Sequence, residues 1–230
     1  MKKEILEKIE KYNQQHLIEY FSIMNEQEQK ALEDQIENMD LENLKALYET
    51  KKTELQIEDK KITHIPYVDK SKLSEQQFNE LNEIGNKTIK NGKYAVVTMA
   101  GGQGTRLGHS GPKGSYSLNT VKGSRYLFEI LAERLKEANK LYNVIIPWYI
   151  MTSKENHKQT VDFLEEHKYF GYDKNSIMFF IQGELPLLTV DGKVILNENK
   201  QIKEAANGNG GVYEAILKSG VLADMQKRGV

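Results

Sequence analysis

The stretch Met99 to Gly108, MAGGQGTRLG, followed closely by Gly111-Pro112-Lys113-Gly114, constrains this chain more than any other part of it. It comes directly after a short apolar run, Tyr94-Ala95-Val96-Val97-Thr98-Met99, which reads as a strand. Glycine lets a backbone approach a ligand closely and adopt dihedrals that side chains forbid. Peptide N–H groups exposed in such a loop form an anion-binding concavity. Arg106 and Lys113 add two cations at short range. The combination reads as a strand running into a phosphate cradle, and it points to nucleotide chemistry.

Spacing separates this loop from two common phosphate motifs. A P-loop needs glycine, four residues, then Gly-Lys-Ser/Thr; Lys113 is followed by Gly114 instead. The dinucleotide fingerprint Gly-x-Gly-x-x-Gly begins at Gly102-Gln103-Gly104, but Leu107 stands at its third glycine.

The whole string GGQGTRLG with a downstream PKG resembles the signature of the sugar nucleotidyltransferases, and most closely that of the UDP-sugar pyrophosphorylases of the UDP-N-acetylglucosamine type. Three later segments carry the same resemblance: Trp148-Tyr149-Ile150-Met151-Thr152-Ser153, Phe179-Phe180-Ile181-Gln182, and Asn207-Gly208-Asn209-Gly210-Gly211. It covers most of residues 94–230 and extends more weakly into the N-terminus. The activity it implies is transfer of UMP from UTP to a sugar 1-phosphate, giving a UDP-sugar and pyrophosphate. The wording AGGQGTRLG leans towards an N-acetylhexosamine 1-phosphate over a hexose 1-phosphate. Two other readings stand beside it: a non-catalytic nucleotide-binding module, and an interaction protein whose residues 1–92 bind a partner.

Composition bounds these readings. The 230 residues carry a formal net charge of −1, which gives no basic surface for nucleic acid. With no cysteine there is neither a disulfide framework nor a zinc-knuckle site. The N-terminus is charged and no apolar signal core follows it, nor does any run approach the ~18 apolar residues of a membrane span. The expected setting is cytoplasmic.

Residues 1–92 read as a helical segment. Apolar residues recur at helical spacing at Ile5, Ile9 and Tyr12, at Leu32, Ile36 and Met39, and at Leu41, Leu44, Leu47 and Tyr48. Ser74 with Gln77 forms a capping box that opens a helix expected to bury Phe78, Leu81 and Ile84. Asn91-Gly92 stops it. From residue 93 to 230, strands alternate with helices. Strands are expected at 94–99, 144–151 and 176–181, with helices at about 125–141 and from a Thr152/Glu155 capping box to about His167. A hairpin with Asp191-Gly192 in its turn and a final helix pair follow. The fold class is α/β, a mostly parallel Rossmann-like nucleotide-diphospho-sugar transferase sheet preceded by the helical segment. Ligands of such sheets bind at the carboxyl ends of the strands, which places the loops after Met99, Met151 and Ile181 on the ligand side.

The chemistry asks for cations and N–H donors rather than a side-chain nucleophile, because the attacking phosphate is already an anion. Arg106, with its planar fork of donors, is the candidate for the β- and γ-phosphates. Lys113 is the candidate for the α-phosphate, and these two are the catalytic candidates. Gly101, Gly102 and Gly104 supply the backbone cradle. By resemblance, Met99 and Ala100 also contact the nucleotide. Gln182 would hydrogen-bond the uracil edge, with one donor and one acceptor against an imide. Gly208 would let the backbone reach the base, and Asn209 would touch the sugar side. Glycines 210 and 211 would open a helix whose peptide donors face the ligand. His109 reads as an exposed loop residue, and no metal ligand is assigned within the chain. The resemblance implies Mg²⁺, with its ligand aspartate on a strand beyond residue 230 and a further lysine after that. On this reading the 230-residue chain looks like the N-terminal part of an enzyme, expected to be nearly inactive alone.

Overall fold

A computed structural model describes residues 1–52, 63–121 and 123–230. Residues 53–62 of the expected N-terminal segment lie outside the described residues. The principal elements in chain order are α1 (Lys3–Lys11), α2 (His16–Ser22), α3 (Glu26–Asn38), α4 (Leu41–Lys52), α5 (Glu75–Lys90), β1 (Val96–Met99), β2 (Ser117–Thr120), β3 (Gly123–Tyr126), α6 (Leu127–Tyr142), β4 (Trp148–Thr152), α7 (His157–Glu166), β5 (Ile177–Ile181), β6 (Glu184–Pro186), β7 (Glu204–Ala206), α8 (Val212–Lys218) and α9 (Val221–Arg228). They form two compact units. One comprises Met1–His64 with Glu184–Ala206, and the other Ile65–Gly183 with Asn207–Val230. By this grouping α5 goes with the sheet-bearing unit, and the segment 184–206 goes with the N-terminal helices.

In the first unit the helical stripes close one core. Ile5, Ile9, Leu17, Leu32, Ile36, Leu41 and Leu44 pack with Val194 and Ile202. The 184–206 segment is a long antiparallel arm. β6 pairs with β7, and further bridges join Leu188 to Val194 and Leu196 to Ile202. Asp191-Gly192 makes the expected turn, with Gly192 at φ +82°, a backbone region that glycine enters without strain. Buried Gln14 fastens the arm. Its Nε2 donates to the Gly192 carbonyl at 2.9 Å, and its Oε1 accepts from the Val194 amide at 2.8 Å.

The second unit is organised by a parallel sheet of order β1-β4-β5. Met99 lies beside Met151, and Thr152 beside Ile181, so the loops after all three strands leave from one edge. The central strand β4 is buried along its whole length, as a continuous apolar run predicts for a strand covered on both faces. It starts later than the periodicity suggests. Pro147 has no N–H for the ladder and contributes only its carbonyl, which accepts from the Val96 amide at 2.9 Å. Side chains alternate across the sheet. Trp148 and Ile150 pack with Phe128 and Ala132 of α6 and Leu164 of α7. Tyr149 and Met151 pack with Phe180, Ala215 of α8 and Val221 of α9. The Tyr149 hydroxyl also donates to Asp224 Oδ2 at 2.8 Å, tying α9 to the strand. Burial and then this carboxylate neighbour push the phenol well above its ordinary range.

Several local expectations are corrected. The α5 capping box is present, with Ser74 and Gln77 satisfying each other's backbone, but the helix buries none of its residues. Phe78, Leu81 and Ile84 are exposed, because no described element covers that face. The cap before α7 is Ser153 with Asn156, one residue later than Thr152 with Glu155. Thr152 is unavailable: its buried hydroxyl donates to the Phe180 carbonyl at 3.1 Å. The hairpin β2–β3 and the helix α2 lie outside the elements that the sequence predicts.

Gly114 shows how closely the loop is seated on the core. An ideal Cβ there would lie 2.0 Å from the Phe128 ring, and Phe128 is only 1% exposed. Gly114→Ala should therefore destabilise the protein by about 3 kcal/mol, the upper part of the range for overpacking. A fall of roughly 6–12 °C in the thermal midpoint would show it. A midpoint within a degree of wild type would mean that Phe128 yields freely.

Candidate nucleotide-binding site

The glycine loop is built from β1 outward. The Ala100 amide donates to the Met151 carbonyl at 2.6 Å, carrying the β1–β4 ladder one residue past the strand. The chain then folds back on itself. Gly104 donates to the Gly111 carbonyl at 2.8 Å and Lys113 to the Gly102 carbonyl at 3.0 Å, bracketing a bridge between Gln103 and Pro112. A short 3₁₀ turn at Thr105–Leu107 ends at Gly108, which is left-handed at φ +68°. Among the described residues, no protein acceptor takes the amides of Gly101, Gly102, Gln103, Thr105 and Arg106. Five N–H donors are thus left without a protein acceptor in one loop, a donor set that an anion-binding concavity would require.

The sequence candidates fall into two sets. Met99 ends β1, Ala100 and Gly101 continue it, and Gly102 and Gly104 form the fold-back. Lys113 is held to Gly102 through its own amide. Gln182 joins them from β5: its N–H donates to the Thr152 carbonyl at 2.8 Å, and its side chain is buried. That side chain sits where a Cβ on Gly101 would be, with Oε1 2.4 Å from the ideal position. The loop of Gly208 and Asn209 returns close to Gln182 through Asn207, whose amide donates to the Gly183 carbonyl at 3.0 Å. The Asn207 side chain lies against Gly183 and Gly211, so no larger residue would fit at either glycine without a shift. Gly208 holds φ +80°. Arg106 and Asn209 are exposed and make no hydrogen bond to the other candidates among the described residues. Nor does either loop cation, Arg106 or Lys113, have a carboxylate partner among them.

Two residues have roles in the loop architecture that the sequence does not indicate. His109, expected to be an exposed loop residue, is half-buried and braces the loop from within. Its Nε2 lies 2.8 Å from Ser115 Oγ, and the Ser115 hydroxyl donates to the Pro112 carbonyl at 2.8 Å. A hydroxyl has one proton, so His109 must donate from Nε2, which fixes its tautomer. The ring packs edge-on to Tyr116 and against Gly104, where a Cβ would meet it at 2.8 Å. The second residue is Asn156, fully buried at the carboxyl end of β4. Its Nδ2 donates to the Ala100 carbonyl at 2.9 Å and, more weakly, towards that of Gly102 at 3.4 Å. The spacing Ser-x-x-Asn could have found it; the His109 contact with Ser115 carries no comparable pattern.

Residues 38–230 match the UTP--glucose-1-phosphate uridylyltransferase family. The chain belongs to this family. It is 34% identical over 233 residues to a probable UDP-N-acetylglucosamine pyrophosphorylase of Schizosaccharomyces pombe, covering 96% of this chain and 48% of that one. Its identity to UDP-N-acetylglucosamine diphosphorylase 2 of Arabidopsis thaliana is 35% over 240 residues, covering 98% and 48%. Among solved structures, the uridine diphosphate N-acetylglucosamine pyrophosphorylase of Trypanosoma brucei in complex with an inhibitor superposes with a TM-score of 0.75 at 26% identity. That match covers 97% of this chain and 48% of that one. The chain thus spans about half the length of the curated relatives it matches. As a member of the uridylyltransferase family, it has the α/β fold with a parallel sheet expected from its sequence.

Proposed function

We propose that this chain carries the UTP-gripping part of a uridylyltransferase that moves UMP from UTP to a sugar 1-phosphate. In that reaction an oxygen of the sugar 1-phosphate attacks the α-phosphorus in line. A new P–O bond forms as the bond to pyrophosphate breaks, and pyrophosphate departs with the electron pair. The observation that carries the reading is the set of amides of Gly101, Gly102, Gln103, Thr105 and Arg106, which no protein acceptor takes among the described residues, flanked by the cations Arg106 and Lys113, which have no carboxylate partner among them. Such donors stabilise charge where it develops, without reorganising during reaction. In this reading Arg106 meets the β- and γ-phosphates and Lys113 the α-phosphate. Gln182, with Gly208 nearby in the chain's return loop, addresses uracil, and Asn209 the sugar side. All these candidates lie within 93–230, which supports assigning the catalytic role to that stretch and a helical accessory role to residues 1–92.

Mg²⁺ is the cofactor this chemistry implies. Among the described residues no cluster of three or more His, Asp or Glu side chains is placed to hold a metal ion. Among the described residues no metal site is therefore assigned, and no step is routed through one. No described helix is long and apolar enough to cross a membrane; a cytoplasmic setting belongs to this proposal, in keeping with a cysteine-free chain. The choice of an N-acetylhexosamine over a hexose 1-phosphate is supported by the two relatives named for UDP-N-acetylglucosamine.

Isothermal titration of UTP, CTP, GTP and ATP tests the reading. UTP should bind at least about tenfold tighter than the others, the roughly 1.4 kcal/mol expected when one imide-matched amide is satisfied by the right base alone. Equal affinities, or none, would overturn it.

A further inference from the structure

We propose that Asn156 is the positioning residue that fixes which way the peptides of the glycine loop face; the inference rests on the proposed grip of that loop on UTP. Gly101 and Gly102 carry no side chain to hold their peptides, and glycine backbones reorient at little cost. A phosphate cradle needs the opposite property. If a peptide turns over, it presents a carbonyl oxygen to the phosphates in place of an N–H.

The Asn156 amide prevents this at two places. In a planar trans peptide the N–H points away from the C=O of the preceding residue. Holding the Ala100 carbonyl at 2.9 Å thus directs the Gly101 N–H to the opposite side. The weaker contact to the Gly102 carbonyl at 3.4 Å, reinforced there by the Lys113 amide at 3.0 Å, does the same for the Gln103 N–H. Both amides belong to the set that no protein acceptor takes among the described residues.

The orientation of the Asn156 side chain itself is settled by its surroundings. Its Oδ1 accepts from the Ser153 amide at 2.9 Å, a partner that can only donate, and so Nδ2 must face the Ala100 carbonyl, which can only accept. A helix cap would need the Oδ1 half alone. The Nδ2 half reaches a different element, 56 residues away in sequence, and does so from a position with no solvent exposure, where an unmet donor is costly.

Two variants separate positioning from folding. Asn156→Ser is neutral and too short to reach Ala100. Asn156→Asp keeps the length and the acceptor for Ser153 but lacks the donor. Each is titrated with UTP and with uridine, and the amides of Gly101 and Gln103 are followed in ¹H–¹⁵N spectra. Both variants should bind UTP at least about tenfold more weakly, lose the UTP-induced shifts of those two amides, and bind uridine as wild type does. Wild-type UTP affinity in a folded variant would overturn the proposal. So would an equal loss of UTP and uridine binding, or failure of both variants to fold by circular dichroism, since either assigns the amide to the fold alone. If the wild-type chain itself fails to bind UTP, the underlying reading of the loop falls instead.

Discussion

Gly101→Ala should leave the protein folded and weaken its binding of UTP by about 10–100-fold, the cost of leaving one or two hydrogen-bonding groups mismatched in a buried site. The reason lies in what the new methyl meets. Its ideal position is 2.4 Å from Gln182 Oε1 and 3.0 Å from Cδ, with the Ser153 amide nitrogen at 3.4 Å. The offending atoms are the tip of a side chain and can move, so the change costs little stability. Moving them, however, takes the amide from the place where it would read uracil. The Gln182 backbone cannot follow, because its N–H is fixed to the Thr152 carbonyl. Selectivity for UTP over CTP should fall together with affinity. A double-mutant cycle makes the link specific: Gly101→Ala added to Gln182→Ala should cost almost nothing further, since both act through one amide. Unchanged UTP affinity in the single variant would separate Gln182 from the nucleotide.

The fold was legible where a single physical rule governs a segment. The run around Trp148 to Met151 reads as a buried strand because apolar residues without periodicity fit only a strand covered on both faces, and β4 is that strand. The stripes of Ile5 and Ile9 and of Leu32 and Ile36 read as helices because burial at 3.6-residue spacing has few other solutions; all four are buried. The same rule overshot for α5. Its period correctly gives a helix, but periodicity does not say that a partner exists, and Phe78, Leu81 and Ile84 remain exposed.

The site was legible in its backbone more than in its supports. A dense run of glycines is the pattern from which a phosphate loop is expected, because such conformational freedom is rarely needed elsewhere at that density. Which residues hold those glycines in place is a long-range matter. Asn156 acts across 56 residues, and Gln182 meets Gly101 only once β4 and β5 are paired. His109 resembled a solvated turn residue because its partner, Ser115, lies on the other side of a fold-back closed by Gly104 and Lys113. The boundary at residue 92 followed a change of composition, whereas the compact units follow contacts, which send the 184–206 arm to the N-terminal core. No local pattern marks that excursion, since its ends are joined by the Asn207 amide on the Gly183 carbonyl.

Lys113→Ala should be the most damaging substitution for chemistry and one of the mildest for stability. The side chain is exposed and has no ion-pair partner among the described residues, so its removal should change stability by no more than about 0.5 kcal/mol. Its backbone, by contrast, is held firmly beside the cradle. The amide donates to Gly102, Pro112 fixes the entering dihedral at φ −54°, and the His109–Ser115 pair secures the Pro112 carbonyl. A cation placed this way, next to amides that no described residue accepts from, has no structural task among the described residues. UTP affinity should fall by about 10-fold or more at low salt, as loss of a charge-assisted contact implies. The difference should narrow as ionic strength shortens the screening length, while uridine, which has no phosphate, should bind unchanged. Assayed in an enzyme as long as its relatives, the same substitution should lower turnover by about 10²–10³-fold, the scale seen when one preorganised donor is removed from a developing charge. Lys113→Arg should recover part of the affinity, because it restores charge but not the compact ammonium. Equal losses for UTP and uridine, or turnover within twofold of wild type, would remove Lys113 from the phosphates.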